Sequence, residues 1–286
     1  MRDYQGQLTL SATDLSNFLN CRHRTALELG EARGRHKRPL WHDPLLDALF
    51  QRGLEHERRY VDSLRADGRS IVDLRERNDR DEAVTATLRA MREGADAIVQ
   101  AALRDGQWFG LPDVLLKASH ASGLGPWSYE VADTKLARET RAGTILQLGL
   151  YCELLTRVQE LSPEQFHVVT PDAENPVHTY RLSDYAAYFR LVKERLENAV
   201  DGDDVLLGAA NYPEPVEHCD VCPWSSVCNK RRHDDDHLSL VAGSTRLQRR
   251  ELEGRGVTTV VSFAQVALPL PFRPARGSVE SHEKSR

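Results

Sequence analysis

The chain of 286 residues has only five cysteines, two methionines and 7% aromatic residues, and it has no excess of basic charge, its formal net charge being -5. No stretch approaches the roughly 18 consecutive apolar residues that a bilayer-spanning helix needs. Met1 to Ser11 lacks the basic start and apolar run of a secretory signal, so the sequence is expected to act in the cytoplasm, away from membranes. There are no internal repeats. An odd number of cysteines in a reducing compartment argues against a disulfide framework and for a metal or redox site. The acidic balance does not advertise nucleic-acid binding, which usually shows as a basic excess. Two local groups run the other way: Arg22, Arg24, Arg33, Arg35, Lys37 and Arg38, and then Arg246, Arg249, Arg250 and Arg255. Each alone also reads as a solvated face.

What is there is ordered unevenly. Cys219, Cys222 and Cys228 form a C-x2-C-x5-C run whose fourth partner is Cys21, far upstream, with Cys152 as a bystander. That layout suits a four-thiolate site that brings the chain ends together, holding either an iron-sulfur cluster or tetrahedral Zn2+.

Ser11 with Asp14 three residues later predicts a helix start, with Leu15, Phe18, Leu19, Ala26 and Leu29 recurring at helical spacing. A second helical stretch is expected over 39–56, burying Leu45, Leu46, Leu49, Phe50 and Leu54. A third is expected over 81–103. Strand patterns follow over 106–117 and 127–136 around a turn at 120–126, reading as a hairpin. A helix over 144–160, strands over 165–170 and 177–182, and a helix from Ser183 to about Val200 complete the core. The stretch 243–266 predicts two short helices, and 269–286, rich in Pro, Ser and charge, predicts disorder. The expected division is a domain over 1–232, an appendage over 233–268 and a tail over 269–286.

The chemistry lies between the cysteines. In the run from Tyr129 to Lys135, a period of two puts Asp133 and Lys135 on one face of a strand and Glu130 on the other. A carboxylate beside an ammonium is the minimum for metal-assisted phosphodiester hydrolysis, although D-x-K alone equally suits a surface ion pair. Asp113 strengthens the case. Positions 113 and 133 are symmetric about Gly123, inside the predicted turn, so an antiparallel hairpin sets the two acids opposite each other. Facing like charges are costly unless a cation such as Mg2+ or Mn2+ lies between them. His56 ends an apolar helical face and offers a nitrogen ligand. Gln147 and Tyr151, at i and i+4, present an amide and a hydroxyl on one helix face.

In chain order, Gly53-x2-His56, Gly110-x2-Asp113, Asp133-x-Lys135 and Gln147-x3-Tyr151 resemble the motif series of RecB-like nucleases in the PD-(D/E)XK superfamily. Cys21 with the C-terminal cysteine run is similar to the iron-sulfur branch, which includes CRISPR-associated exonucleases, AddB-type nuclease domains and helicase-linked RecB-like nucleases. The stretch from Glu130 to Ala137 most resembles the last group, and the resemblance extends over about residues 10–230.

The resemblance implies an α/β, restriction-endonuclease-like core, a mixed central sheet flanked by helices, with an iron-sulfur staple joining the first helix to the C-terminal loop. It implies His56, Asp113, Asp133 and the carbonyl of Thr134 as ligands of Mg2+ or Mn2+, and Lys135 as the catalytic lysine. Gln147 and Tyr151 would line the DNA groove, and Cys21, Cys219, Cys222 and Cys228 would hold a structural 4Fe-4S cluster. Asp133 stands where the family often has Glu. The function implied is a metal-dependent deoxyribonuclease, an exonuclease on single-stranded or unwound DNA, in repair, recombination or CRISPR-type processing, with DNA and a helicase as partners. Two rivals from other classes are a non-catalytic DNA-binding adaptor and a cysteine-based regulator. The segment from Leu252 to Thr259 resembles a helix-hairpin-helix element, and it equally suits a simple helical appendage.

Overall fold

The first helix starts where Ser11 and Asp14 require it. The Ser11 amide donates to Asp14 Oδ2 at 2.7 Å and the Ser11 hydroxyl to the same oxygen at 2.9 Å, satisfying donors that a bare helix end leaves unpaired. In the computed structural model, which describes residues 1–40, 42–77, 79–173, 176–202, 211–275 and 278–284, this helix is α1 (Ala12–Asn20). The expected run of apolar positions to Leu29 is in fact two helices. Cys21 adopts an extended conformation, ends α1 and caps α2 (Arg22–Ala32), its Sγ accepting the Arg24 amide at 3.4 Å. Leu15, Phe18, Ala26 and Leu29 are buried as expected, while Leu19 is exposed.

The described chain divides into two compact units, 1–36 with 42–206, and 37–41 with 207–286. The cysteine run at 219–228 therefore falls in the second unit, with the short C-terminal helices.

The first unit is a mixed α/β fold around a six-stranded mixed sheet. The strands in chain order are β1 (Arg2–Tyr4), β2 (Gln7–Thr9), β3 (Ile71–Asp73), β4 (Ala97–Val99), β5 (Leu103–Asp105), β6 (Trp108–Gly110), β7 (Val114–Ala118), β8 (Ser128–Thr134), β9 (Gln165–Val169) and β10 (Val177–Arg181). The large sheet runs β10-β9-β8-β7-β4-β3, while β1-β2 and β5-β6 form separate ribbons. β8 is central, antiparallel to β7 and parallel to β9. The helices are α3 (Pro44–Ala66), α4 (Arg80–Glu93), α5 (Ala142–Gln159) and α6 (Ala186–Asp201).

Alternation along the strands divides the core. Leu115, Tyr129, Val131, Phe166 and Val168 join Leu146, Leu150 and Leu154 of α5 on one face. Val99, Val114 and Ala132 meet Val61 and Leu64 of α3 on the other. Three expectations are corrected here. α3 starts at Pro44, not at 39, and only its second half reaches the sheet, so Leu45, Leu49 and Phe50 are exposed and His56, Glu57, Val61 and Leu64 are buried. The helix expected over 81–103 ends at Gly94, whose positive φ of 75° suits glycine as a terminator. The strand expected over 106–117 is interrupted between β6 and β7 around Pro112, which has no amide to give a ladder.

The second unit carries a 3-10 turn (Glu217–Val221) and α7 (Ser225–Asp234), α8 (Arg246–Glu253), α9 (Val260–Ala264) and α10 (Val279–Lys284). Thr245 with Gln248 and Thr259 with Ser262 close capping boxes on α8 and α9, bearing out the two short helices. Leu238, Leu252 and Phe263 form their core, with Phe272 packed against it. The segment expected to be disordered thus contributes an apolar contact and a short helix among its described residues. No helix among the described residues is long and apolar enough to cross a membrane.

Candidate active site

The hairpin register places the acids. Val114 pairs with Ala132 and Leu115 with Val131, the register symmetric about Gly123, so Asp113 and Asp133 stand opposite one another at the end of the ladder. Thr134 fixes the first acid: its amide and its hydroxyl each donate to Asp113 Oδ2 at 2.8 Å. Gln147 Nε2, one turn into α5, reaches Asp133 Oδ1 at 3.3 Å and the Tyr151 hydroxyl at 3.1 Å. The pairing of Gln147 with Tyr151 is what their i,i+4 spacing requires.

Asp133 is fully buried. Its Oδ2 lies against the Lys135 ammonium as an ion pair, yet accepts no well-directed hydrogen bond. Burial first, and then the like charge of Asp113, push its carboxyl up to about 7, against the opposing pull of Lys135. Burial lowers the Lys135 ammonium, but Asp133 and Asp113 outweigh it, so the lysine is raised and stays charged. Burial and then the Asp133 charge raise the Tyr151 phenol, which therefore acts as a neutral hydroxyl. A buried carboxylate facing a half-buried one, with an oxygen that accepts no hydrogen bond, is a donor set that suits a hard divalent cation.

His56 is buried on α3, and its Nε2 meets the Val169 carbonyl at 3.0 Å. A carbonyl only accepts, so Nε2 carries the proton, and Nδ1 is the nitrogen open to a ligand role. The same carbonyl accepts the Lys135 amide at 2.8 Å. A ring nitrogen anchored in this way on a backbone carbonyl is how a metal-ligating histidine is commonly oriented.

Three participants escaped sequence reasoning. Glu57, buried beside His56, accepts from Gln100 Nε2 at 3.1 Å and from Arg75 Nε and a terminal nitrogen at 3.3 and 3.2 Å. Gln100 Nε2 also reaches Asp113 Oδ1 at 3.4 Å. The only signal was the position of Glu57 next to a motif histidine. Gln100, with a φ of 52°, and Arg75 meet it only through the fold.

Gly110 has a steric role. A Cβ there would lie 2.8 Å from both Leu154 Cδ1 and Tyr151 Cδ1, so glycine lets α5 approach the strand that leads to Asp113.

The five cysteines are all thiols rather than disulfides. In the first unit Cys21 lies at the α1–α2 break. In the second, Cys219 is in the 3-10 turn, Cys222 follows it and Cys228 is in α7. Cys219 Sγ accepts the Val216 amide at 3.4 Å, as Cys21 Sγ accepts that of Arg24; such bonds favour thiolates. Cys152 is fully buried on α5, among apolar side chains.

Glu214, His237 and Glu253 also converge in the second unit, with His237 Nε2 at 3.9 and 3.6 Å from the two carboxylates. Here the hydrogen bonds argue against a metal. His237 Nδ1 accepts the Ser239 amide at 3.1 Å, which leaves the proton on Nε2, facing the carboxylates, and Glu214 is engaged by Arg249.

Neither a scan against protein-family models nor a search among curated proteins returned a match.

Proposed function

We propose that this chain is a metal-dependent deoxyribonuclease of the RecB-like PD-(D/E)XK type, acting on single-stranded or unwound DNA, alone or beside a helicase. The observation that carries the reading is the fully buried Asp133, set opposite Asp113 and in ion-pair contact with Lys135. The Asp113 charge adds to the cost of ionising the buried Asp133, and a divalent cation between the two removes that cost.

Asp113 and Asp133 would hold Mg2+ or Mn2+, with His56 through Nδ1 and the Thr134 carbonyl as further ligands. A divalent cation, when bound, supplies Lewis acidity toward a phosphate oxygen and lowers the pKa of a water. Thr134 holds Asp113 through two hydrogen bonds, so one carboxylate is fixed in advance. Gln147 holds the other and is itself linked to Tyr151. Lys135, kept cationic by both acids, stabilises the negative charge that develops on the phosphoryl oxygens. Glu57 acts as a positioning residue, steadying Asp113 through Gln100.

Cys21, Cys219, Cys222 and Cys228 are proposed as ligands of a structural 4Fe-4S cluster. Their spacing and the amide bonds to Cys21 and Cys219 support thiolate ligation, with Zn2+ as the rival occupant.

The test of the enzyme is hydrolysis of end-labelled single- and double-stranded DNA in Mg2+ or Mn2+. The expected result is cleavage abolished by EDTA and restored by excess Mn2+. Cleavage that persists in EDTA overturns the metal-dependent reading.

A further inference from the structure

Tyr151 also lines a partly open cavity of about 240 Å³. That is several times the roughly 30 Å³ share of one water in the liquid. Its wall includes Leu111 and Tyr151 from the active-site side, Thr9 and Thr13 from around the start of α1, and the arginines Arg2 and Arg80. Tyr151 connects it to the acids through Gln147 by hydrogen bonds of 3.1 and 3.3 Å.

The two cavity arginines belong to a larger group of guanidiniums. Arg80, at the start of α4, and Arg104, on β5, both lie over the same two rings, Tyr4 and Phe109. Arg80 Cζ is 5.5 and 4.8 Å from the ring centroids and Arg104 Cζ 5.3 and 5.6 Å. Arg2 is close enough to act on Arg80 by repulsion. Among the described residues, one carboxylate is in ion-pair contact with this group. Asp81 is committed to Arg104 and to the Tyr4 hydroxyl, the latter at 3.1 Å, and those bonds hold its carboxyl below the usual range. Among the described residues neither Arg80 nor Arg2 has a carboxylate in ion-pair contact. Burial, then Arg2 and Arg104, lower the Arg80 guanidinium, the mark of like charges gathered without enough anions.

Arg80, held on two aromatic faces, and Arg2, exposed on β1, line one cavity with no carboxylate in ion-pair contact among the described residues, an arrangement that suits an anion. The neighbouring acid–lysine site gives that anion a chemical class. We propose that the Arg2–Arg80 cavity binds a phosphodiester of the DNA strand next to the one being cut. The inference rests on the nuclease reading of Asp113, Asp133 and Lys135. The Arg80 guanidinium, already carried on the Tyr4 and Phe109 rings, offers its N–H groups to backbone phosphate, a contact indifferent to base sequence. Fixing a neighbouring phosphate at a cavity that shares Tyr151 with the acid site would set the register of the strand across the acids.

The test is binding of fluorescein-labelled oligo-dT by anisotropy across a salt series, with Ca2+ replacing Mg2+ to suppress cleavage. Arg80→Gln is expected to weaken binding about five- to tenfold at low salt. It should also reduce the slope of log K against log salt by about 0.7, the contribution of one phosphate on single-stranded DNA. Arg2→Gln, on an exposed strand where folding is not at risk, is expected to act in the same direction. Arg89→Gln, an exposed arginine further along α4, carries the same loss of charge and is expected to leave the slope unchanged. If Arg80→Gln and Arg2→Gln keep the wild-type slope, or Arg89→Gln matches them, the cavity proposal is overturned while Lys135-dependent cleavage leaves the nuclease reading standing. If the wild-type protein neither binds nor cleaves DNA, both fall.

Discussion

Asp133 concentrates the strain of the site. An acid with a raised folded pKa favours the folded state fully below its unfolded value, near 3.8, and that contribution disappears as pH rises toward about 7. In the metal-free protein the cost of keeping Asp133 ionised should therefore grow between those two values and then level off. Asp133→Asn, which cannot ionise, avoids it. The expected outcome is a variant more stable than wild type by on the order of 2–4 kcal/mol at pH 8 in EDTA, with the advantage shrinking toward pH 4. Thermal melts at the two pH values check this, and added Mn2+ should narrow the gap by stabilising wild type alone. Equal stability at both pH values would mean that Asp133 carries no such cost. At this scale the sequence was legible where the chemistry is local in a strand: Asp113, Asp133 and Lys135 follow from a period of two and a turn centred on Gly123. It was illegible at Glu57, Gln100 and Arg75, which meet only because the fold brings α3 and the C-terminal ends of β3 and β4 together.

Elements explain which boundaries could be read. The α1 cap, the β7–β8 hairpin, α5, β9 and β10 were legible because their signals are carried by adjacent residues. The break at Cys21 was not, since the apolar spacing continues across it and only the extended conformation of Cys21 divides the helices. The exposed first half of α3 has helical periodicity, but periodicity does not say whether an element lies beneath that face. Gly110 is the element-scale contact most open to test. Gly110→Ala puts a methyl within 2.8 Å of Tyr151 and Leu154, and overpacking of this kind typically costs about 1–3 kcal/mol. The expected result is a lower melting temperature together with slower DNA cleavage, because Tyr151 and Gln147 are displaced from Asp133. A variant that melts and cuts like wild type would show that the α5–β6 approach has slack.

For the whole molecule, the sequence pattern of four cysteines runs from Cys21 to Cys228 of 286 residues, and the described residues assign Cys21 to one unit and Cys219, Cys222 and Cys228 to the other. In the chain-entropy model a cross-link closing a loop of about 200 residues is worth about 5 kcal/mol. Anaerobic purification followed by visible absorption and iron, sulfide and zinc analysis is expected to give a coloured protein with four irons per chain, and Cys219→Ser is expected to lose the colour. A colourless protein with one zinc would replace the cluster with a tetrahedral site and leave the nuclease reading intact.

The acid–lysine site is the centre of the account, and Lys135 is its most exposed claim. Single-turnover cleavage of end-labelled single-stranded DNA in Mn2+ should fall by at least about a hundredfold in Lys135→Ala, a loss of roughly 2.7 kcal/mol or more of transition-state stabilisation. The melting temperature and the metal content of the cysteine site should stay those of wild type. Cleavage by Lys135→Ala at the wild-type rate would contradict the assignment.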